Sequence, residues 1–173
     1  MPAFPAYQVV MRTMTTGTLD YTPTFTGVLT VSANGYTETY GSAYSGTELS
    51  MLDLPAGTDV ILTGNITMVT FHPDANVSML AMSNKIRTIS GLSGNISILD
   101  LRNLADAPIL LYGETNNIRE LYATSLGSLY LVNVDMIDHS TVTDGVLWID
   151  RTQAHAADVI AEAEAKGWRV YDL

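Results

Sequence analysis

The chain has 173 residues, of which 47% are hydrophobic and 15% charged, with a formal net charge of −10 and no cysteine. That length can bury a real core in one compact body or two tightly joined ones. The lack of Cys excludes a disulfide framework, a thiolate metal site and a Cys nucleophile. Arg12 is the sole Lys or Arg before Lys85, which argues against nucleic-acid binding, because phosphate contacts need a basic footprint.

Met1 to Ala6 shows no basic start followed by an apolar run, so no secretory signal is expected, and no stretch approaches the length of a membrane span. Residues 1–63 read as an N-terminal antiparallel β block. Gln8 to Met14 and Thr24 to Ser32 are strand-like. Asn34-Gly35 then marks a hairpin, since both positions accept positive φ. Tyr36 to Tyr40 is the return strand, with Tyr36, Glu38 and Tyr40 on one face and the two Thr on the other. Gly41 to Gly46 is a loop, Leu54-Pro55-Ala56-Gly57 a turn, and Asp59 to Thr63 a strand entering the next region.

Residues 64–173 carry a repeated phrase: Asn, a branched aliphatic, two variable residues, then a large apolar one. It appears at Asn65 to Val69, Asn76 to Leu80, Asn95 to Leu99 and Asn117 to Leu121. Weaker copies end at Ile89, Leu110 and Leu131. The apolar anchors recur about every 10 residues, and a fixed period marks a solenoid, whose units bury their apolar edges only by stacking. The Asn residues suit corners, because Asn tolerates left-handed backbone and bonds to nearby main chain. The stretch Val132 to Asp144 breaks the register. Gly145 to Asp150 is a further strand. Thr152 then caps an expected helix from Gln153 to Lys166, with Ala156, Val159, Ile160 and Ala163 as its inner stripe and Gly167 as its stop. Trp168 to Tyr171 returns as a strand and completes the cap.

Asn95-Ile96-Ser97-Ile98-Leu99-Asp100-Leu101 and Asn117-Ile118-Arg119-Glu120-Leu121-Tyr122-Ala123 resemble the degenerate leucine-rich repeats of Bacteroides-type surface proteins. There a repeat of about 21 residues is built from two half-units. Gly145 to Asp150, the Ala-rich helix and Lys166 to Val170 are similar to the closing cap of such repeats. Similar modules occur in structural proteins of phages that infect those bacteria. The resemblance implies a leucine-rich-repeat-like β solenoid that presents a surface. It implies no shared catalytic residue.

The chemistry-bearing residues point the same way. His72, His139 and His155 are scattered and lack metal-ligand spacing. Asp135, Asp138, His139 and Asp144 form the densest acidic stretch, without the spacing of a calcium loop. Glu114 with Glu120, or Asp100 with Glu120, are the carboxylate pairs that glycoside hydrolysis would use, but no acidic cluster recurs in one column. Ser45 and Ser93 lack the Gly-x-Ser-x-Gly setting of a nucleophile elbow. Gly91 to Gly94 does not open a phosphate-binding helix. Arg87 and Arg119 fall on opposite sides of a coil if each half-unit supplies one side. Tyr21, Tyr36, Tyr40 and Tyr44 cluster among small polar residues, the composition of adaptable recognition surfaces, although they also suit the core and rim of a small sheet.

The expectation is a non-enzymatic protein that acts by docking, with Tyr36, Tyr40 and Tyr44 as partner-binding residues and no catalytic residue, cofactor or metal. The first setting is a capsid decoration or fibre-associated protein of a Bacteroides-type phage virion, contacting other structural proteins. The alternatives are a bacterial cell-surface adhesion module that meets a host ligand, and a polysaccharide-active solenoid enzyme.

Overall fold

Two long strands carry the architecture. The structure is a computed structural model describing residues 8–72, 75–82, 86–92, 95–104, 110–113 and 117–173. The chain is mainly β, and its described strands join one open, mixed sheet. β1 (Gln8–Thr13), β2 (Gly17–Ala33), β3 (Tyr36–Tyr40), β4 (Leu49–Leu54) and β5 (Asp59–Phe71) form the antiparallel part. Asn34 and Gly35 make the expected hairpin at φ 48° and 83°, the pair of positive angles that a type I′ turn requires. β2 and β5 run well beyond the lengths expected for them. β4 has no counterpart in the sequence reading, because Leu49–Leu54 lacks clean alternation and leaves Leu52 exposed.

β2 and β5 bend together. Thr26 faces Asn65 and Thr30 faces Thr63, so Gly27, Val28 and Leu29 oppose Gly64 alone. Extra residues on one strand kink the pair. Gly64 has φ 155°, and a Cβ there would sit 2.8 Å from the Val28 carbonyl oxygen, so the close approach needs glycine. On each side of the bend β5 buries one set of residues, Val60 and Leu62 before it and Ile66, Val69 and Phe71 after it. Both sets enter one core that extends from Val9 to Trp168. The expected boundary between residues 63 and 64 therefore falls inside a continuous strand.

Each arm of β5 leads into a parallel ladder. The first arm pairs with β1, and β1 with β6 (Val77–Ala81). Parallel to β6 follow β8 (Ile98–Asp100), β10 (Glu120–Ala123), β11 (Val146–Ile149) and β12 (Arg169–Asp172), with Leu80, Leu99, Leu121, Leu147 and Val170 in register. The second arm pairs with β7 (Thr88–Leu92), and β7 with β9 (Leu110–Gly113). The anchors thus alternate between two ladders as the chain advances. In the second ladder Val69 faces Ile89 and Ile89 faces Leu111, so Leu110 is one residue out of the expected register.

Beyond β9, helices take the chain positions between first-ladder strands. α1 (Leu129–His139) follows β10, and α2 (Ala156–Ala165) follows β11. α1 explains the break in register over Val132 to Asp144: Leu129, Asn133, Met136 and Ile137 recur at helical spacing and bury one face. Leu131 is therefore no ladder anchor but an exposed helical residue. α2 buries Ala156, Val159 and Ala163 as expected, and Gly167 ends it with φ 86°. Its start differs from the expectation. The Thr152 hydroxyl and amide both donate to Asp150, and His155 at φ 64° precedes the helix instead. The Trp168 indole lies against Gly145 and donates to the Val142 carbonyl at 2.7 Å, which pins the end of α2 to the sheet.

Leu99→Ala and Leu121→Ala each remove a fully buried side chain from the middle of the first ladder and should cost roughly 2–5 kcal/mol. Gly64→Ala should cost about 2 kcal/mol or more, from its backbone angle and the Val28 contact. Urea denaturation measures all three. Losses under about 0.5 kcal/mol would show that the ladder and the bend do not hold the fold.

Candidate docking groove

β3 and β4 lie along the same edge of β2, at its two ends. β4 pairs with residues 17–21 and β3 with residues 29–33. Neither has another strand partner among the described residues. Because β2 bends between them, β3 and β4 border two different arms of the sheet. A cavity of about 640 Å³ opens there, within the range of ligand pockets. Val31, Ala33 and Leu54 form its apolar floor, Tyr36 and Glu38 line it from β3, and Ser50 to Asp53 line it from β4. No described Lys or Arg lines it.

The register places Tyr36, Glu38 and Tyr40 opposite Ala33, Val31 and Leu29, which are buried, so these three share the core-facing side of the sheet. Thr37 takes the other side and bonds to Ser32 at 3.2 Å. Past the core margin Tyr36 stands exposed at the groove lip. Tyr40 is half-buried against the core and meets Tyr44 edge-on at 5.5 Å. Loop 41–46 is strapped to β2: the Phe25 amide donates to Ser45 Oγ and the Gly46 amide to the Pro23 carbonyl, each at 2.9 Å. Of the three expected docking residues, Tyr36 lines the groove, while Tyr40 and Tyr44 pair at the far end of β3.

The Tyr40 hydroxyl donates to Glu38, and that bond, with burial second, pushes its pKa up to about 12. Burial also raises Tyr21, with Tyr40 and Glu38 adding to the effect. Among the described residues the buried Tyr21 hydroxyl has no hydrogen-bond partner.

A second cluster escaped the sequence reading. The residue after each first-ladder anchor from Leu99 onward forms a row: Asp100, Tyr122, Trp148 and Tyr171. Tyr122 stacks on Trp148 at 5.8 Å, and Trp148 on Tyr171 at 4.8 Å. Arg102 lies over the Tyr122 ring and grips both oxygens of the buried Asp100. Glu120 Oε1 accepts the Tyr122 hydroxyl at 2.6 Å and the Trp148 indole at 3.1 Å. Burial first, then the Glu120 bond, pushes Tyr122 up to about 12. Aligning Leu121, Leu147 and Val170 in the sequence would have exposed this row. The Asp100–Glu120 pair weighed for glycoside hydrolysis is thus taken up in these contacts, while Glu114 and Ser93 lie outside the described residues.

The other candidates are dispersed. Arg87 precedes β7 and Arg119 precedes β10, on different ladders. His72 meets Glu48 at 2.7 Å, and that bond raises its pKa. His155 stacks on Tyr130. Asp135, Asp138 and His139 lie on α1, and Asp144 is 3.9 Å from Arg119. Among the described residues no three His, Asp or Glu gather as a metal site.

The raised Tyr values fix an alkaline limit. A phenol whose folded pKa exceeds its unfolded value contributes stability that is complete below about pH 10 and is lost as the pH rises through the folded value. Far-ultraviolet circular dichroism should therefore show stability falling between about pH 10 and 12. Tyr21→Phe should blunt that fall and leave neutral-pH stability unchanged or up to about 1–2 kcal/mol higher, since it deletes an unpartnered buried hydroxyl. A loss of stability at pH 7 would mean that the hydroxyl has a partner.

Compared with known protein families, curated proteins and solved structures, the chain shows no match.

Proposed function

We propose that this chain is a non-enzymatic docking protein, built as a short two-sided leucine-rich-repeat-like solenoid that engages its partner through the N-terminal block. The alternation of anchors between two parallel ladders supports the solenoid reading, as do the helices that replace strands on one side. One observation carries the docking reading. Among the described residues, five large apolar side chains are more than half exposed: Val28 at 57%, Tyr36 at 73%, Tyr44 at 51%, Leu52 at 68% and Leu131 at 56%. All but Leu131 belong to the N-terminal block: Tyr36 and Leu52 line the groove, Val28 lies in the bend, and Tyr44 meets Tyr40 at the far end of β3. Exposed apolar side chains around a groove mark an interaction surface, and Tyr among few charges is the pattern of interface cores.

The repeat resemblance supplies the setting: a decoration or fibre-associated component of a Bacteroides-type phage virion that contacts other structural proteins, with a bacterial cell-surface adhesion module as the alternative. The polysaccharide-active reading draws no support from Asp100 and Glu120: Arg102 holds both oxygens of Asp100, and Tyr122 and Trp148 both donate to Glu120 Oε1.

The test replaces exposed residues and spares Tyr40, which packs on the core. Tyr36→Ser with Tyr44→Ser should leave the circular dichroism spectrum unchanged and cut incorporation into the parent assembly about tenfold or more, the scale of two lost hot spots. Arg87→Ala with Arg119→Ala should incorporate normally. The reverse pattern would move the docking face to the ladder flank.

A further inference from the structure

The groove between β3 and β4 has a form that selects its occupant. Side chains alternate faces along a regular strand, so a cavity that Tyr36, Thr37 and Glu38 of β3 all reach runs along that strand's edge rather than across one face. β4 is bulged against β2, with Asp53 at φ 54°, and there Ser50 to Leu54 all reach the cavity. Among the described strands each of these pairs only with β2, so each leaves one edge without a strand partner. Such an edge is a template for an added strand.

Charge narrows the choice. Glu38 and Asp53 line the groove, and no described Lys or Arg does. The one Lys or Arg in residues 8–72, Arg12, is held by both oxygens of Asp59 at 2.6 and 2.9 Å. The floor of Val31, Ala33 and Leu54 is apolar, and the Tyr36 ring stands at the lip. Lys and Arg side chains match this combination: their stems cover apolar surface, their heads meet carboxylates, and an aromatic face attracts them further. A second copy of the chain fits poorly, because it would bring Glu38 and Asp53 against the same two acids.

We infer that the groove binds an extended, basic segment of a partner protein as an added strand, with aliphatic side chains on the floor and Lys or Arg at Glu38 and Asp53. The inference rests on the docking reading and names the chemistry of the partner.

The probes are two synthetic peptides of about nine residues alternating Val and Thr, one with two Lys and its twin with Glu at the same places, titrated into the full chain. The Lys peptide should bind about tenfold or more tightly than its twin and weaken in high salt. Its binding should slow amide exchange across Tyr36 to Glu38 and Ser50 to Leu54. Glu38→Gln with Asp53→Asn should abolish the preference without unfolding the chain, since Gln still accepts from Tyr40 and Asn tolerates the φ of 54° at position 53. Equal binding of the twins, no binding of the Lys peptide at millimolar concentration, protection confined to other strands, or uptake of a neutral oligosaccharide instead would each overturn the basic-strand inference. If incorporation still depends on Tyr36 and Tyr44 in those cases, docking stands and only the partner's chemistry is wrong.

Discussion

The approach of the Val28 carbonyl to Gly64 is the contact on which the rest of the molecule depends. A strand as long as β2 or β5, left straight, would make a flat ribbon with one face unburied. The mismatch of Gly27 to Leu29 against Gly64 bends both strands at the same level. Each strand then supplies two arms, and each arm of β5 leads into its own ladder, through β1 on one side and β7 on the other. The core between the arms exists because the backbone turns there. Only a residue without Cβ lets the turn close.

Once the arms are set, stacking does the remaining work. The ladder of Leu80, Leu99, Leu121 and Leu147 adds one fully buried aliphatic per strand, at about 1.5–3 kcal/mol each before the entropy of ordering is charged. The second ladder changes character after β9, where α1 and α2 take over. The change follows composition. Leu129, Met136 and Ile137, and later the Ala-rich stripe, favour a helix over another strand of about four residues. A helix also closes an end better than a strand, because it satisfies its own backbone and offers no edge. Both ends of the sheet still finish in strands with a single described strand partner: β12, beside α2, at one end, and β3 and β4 at the other.

What could be read from the sequence is what local periodicity encodes. The Asn34-Gly35 hairpin, the anchors Val69, Leu80, Ile89, Leu99 and Leu121, the stripe of α2 and the final strand all depend on spacing along the chain. The misses depend on contacts across it. The bend at Gly64 comes from register between strands that are distant in sequence. β4 lacks alternation because its pairing with β2 is bulged, with Asp53 at φ 54°. Leu131 matched the period by coincidence, since a spacing of 10 or 11 residues is also about three helical turns. Thr152 looked like a cap, but Asp150 two residues earlier takes its hydroxyl and amide. At the candidate site, Tyr36 was legible as an aromatic among small polar residues. The groove was not, because its far wall is β4.

Charge placement ties the fold to its use. In most small proteins, acids at a surface groove have Lys or Arg neighbours that soften the local field. Here the N-terminal block has one such residue, and its geometry spends it. Arg12 sits in register with Asp59 across β1 and β5, and both oxygens of Asp59 hold its guanidinium in a bidentate pair. That pair braces the first arm of the bend. It also leaves Asp20, Glu38, Glu48 and Asp53 with no further Lys or Arg in the N-terminal block, and His72 lies beside Glu48. The interaction that stabilises the arm therefore keeps the open end acidic. A body with few charges over an apolar floor has little else to set the direction from which a partner approaches, and at such an edge the acids decide which strands are admitted.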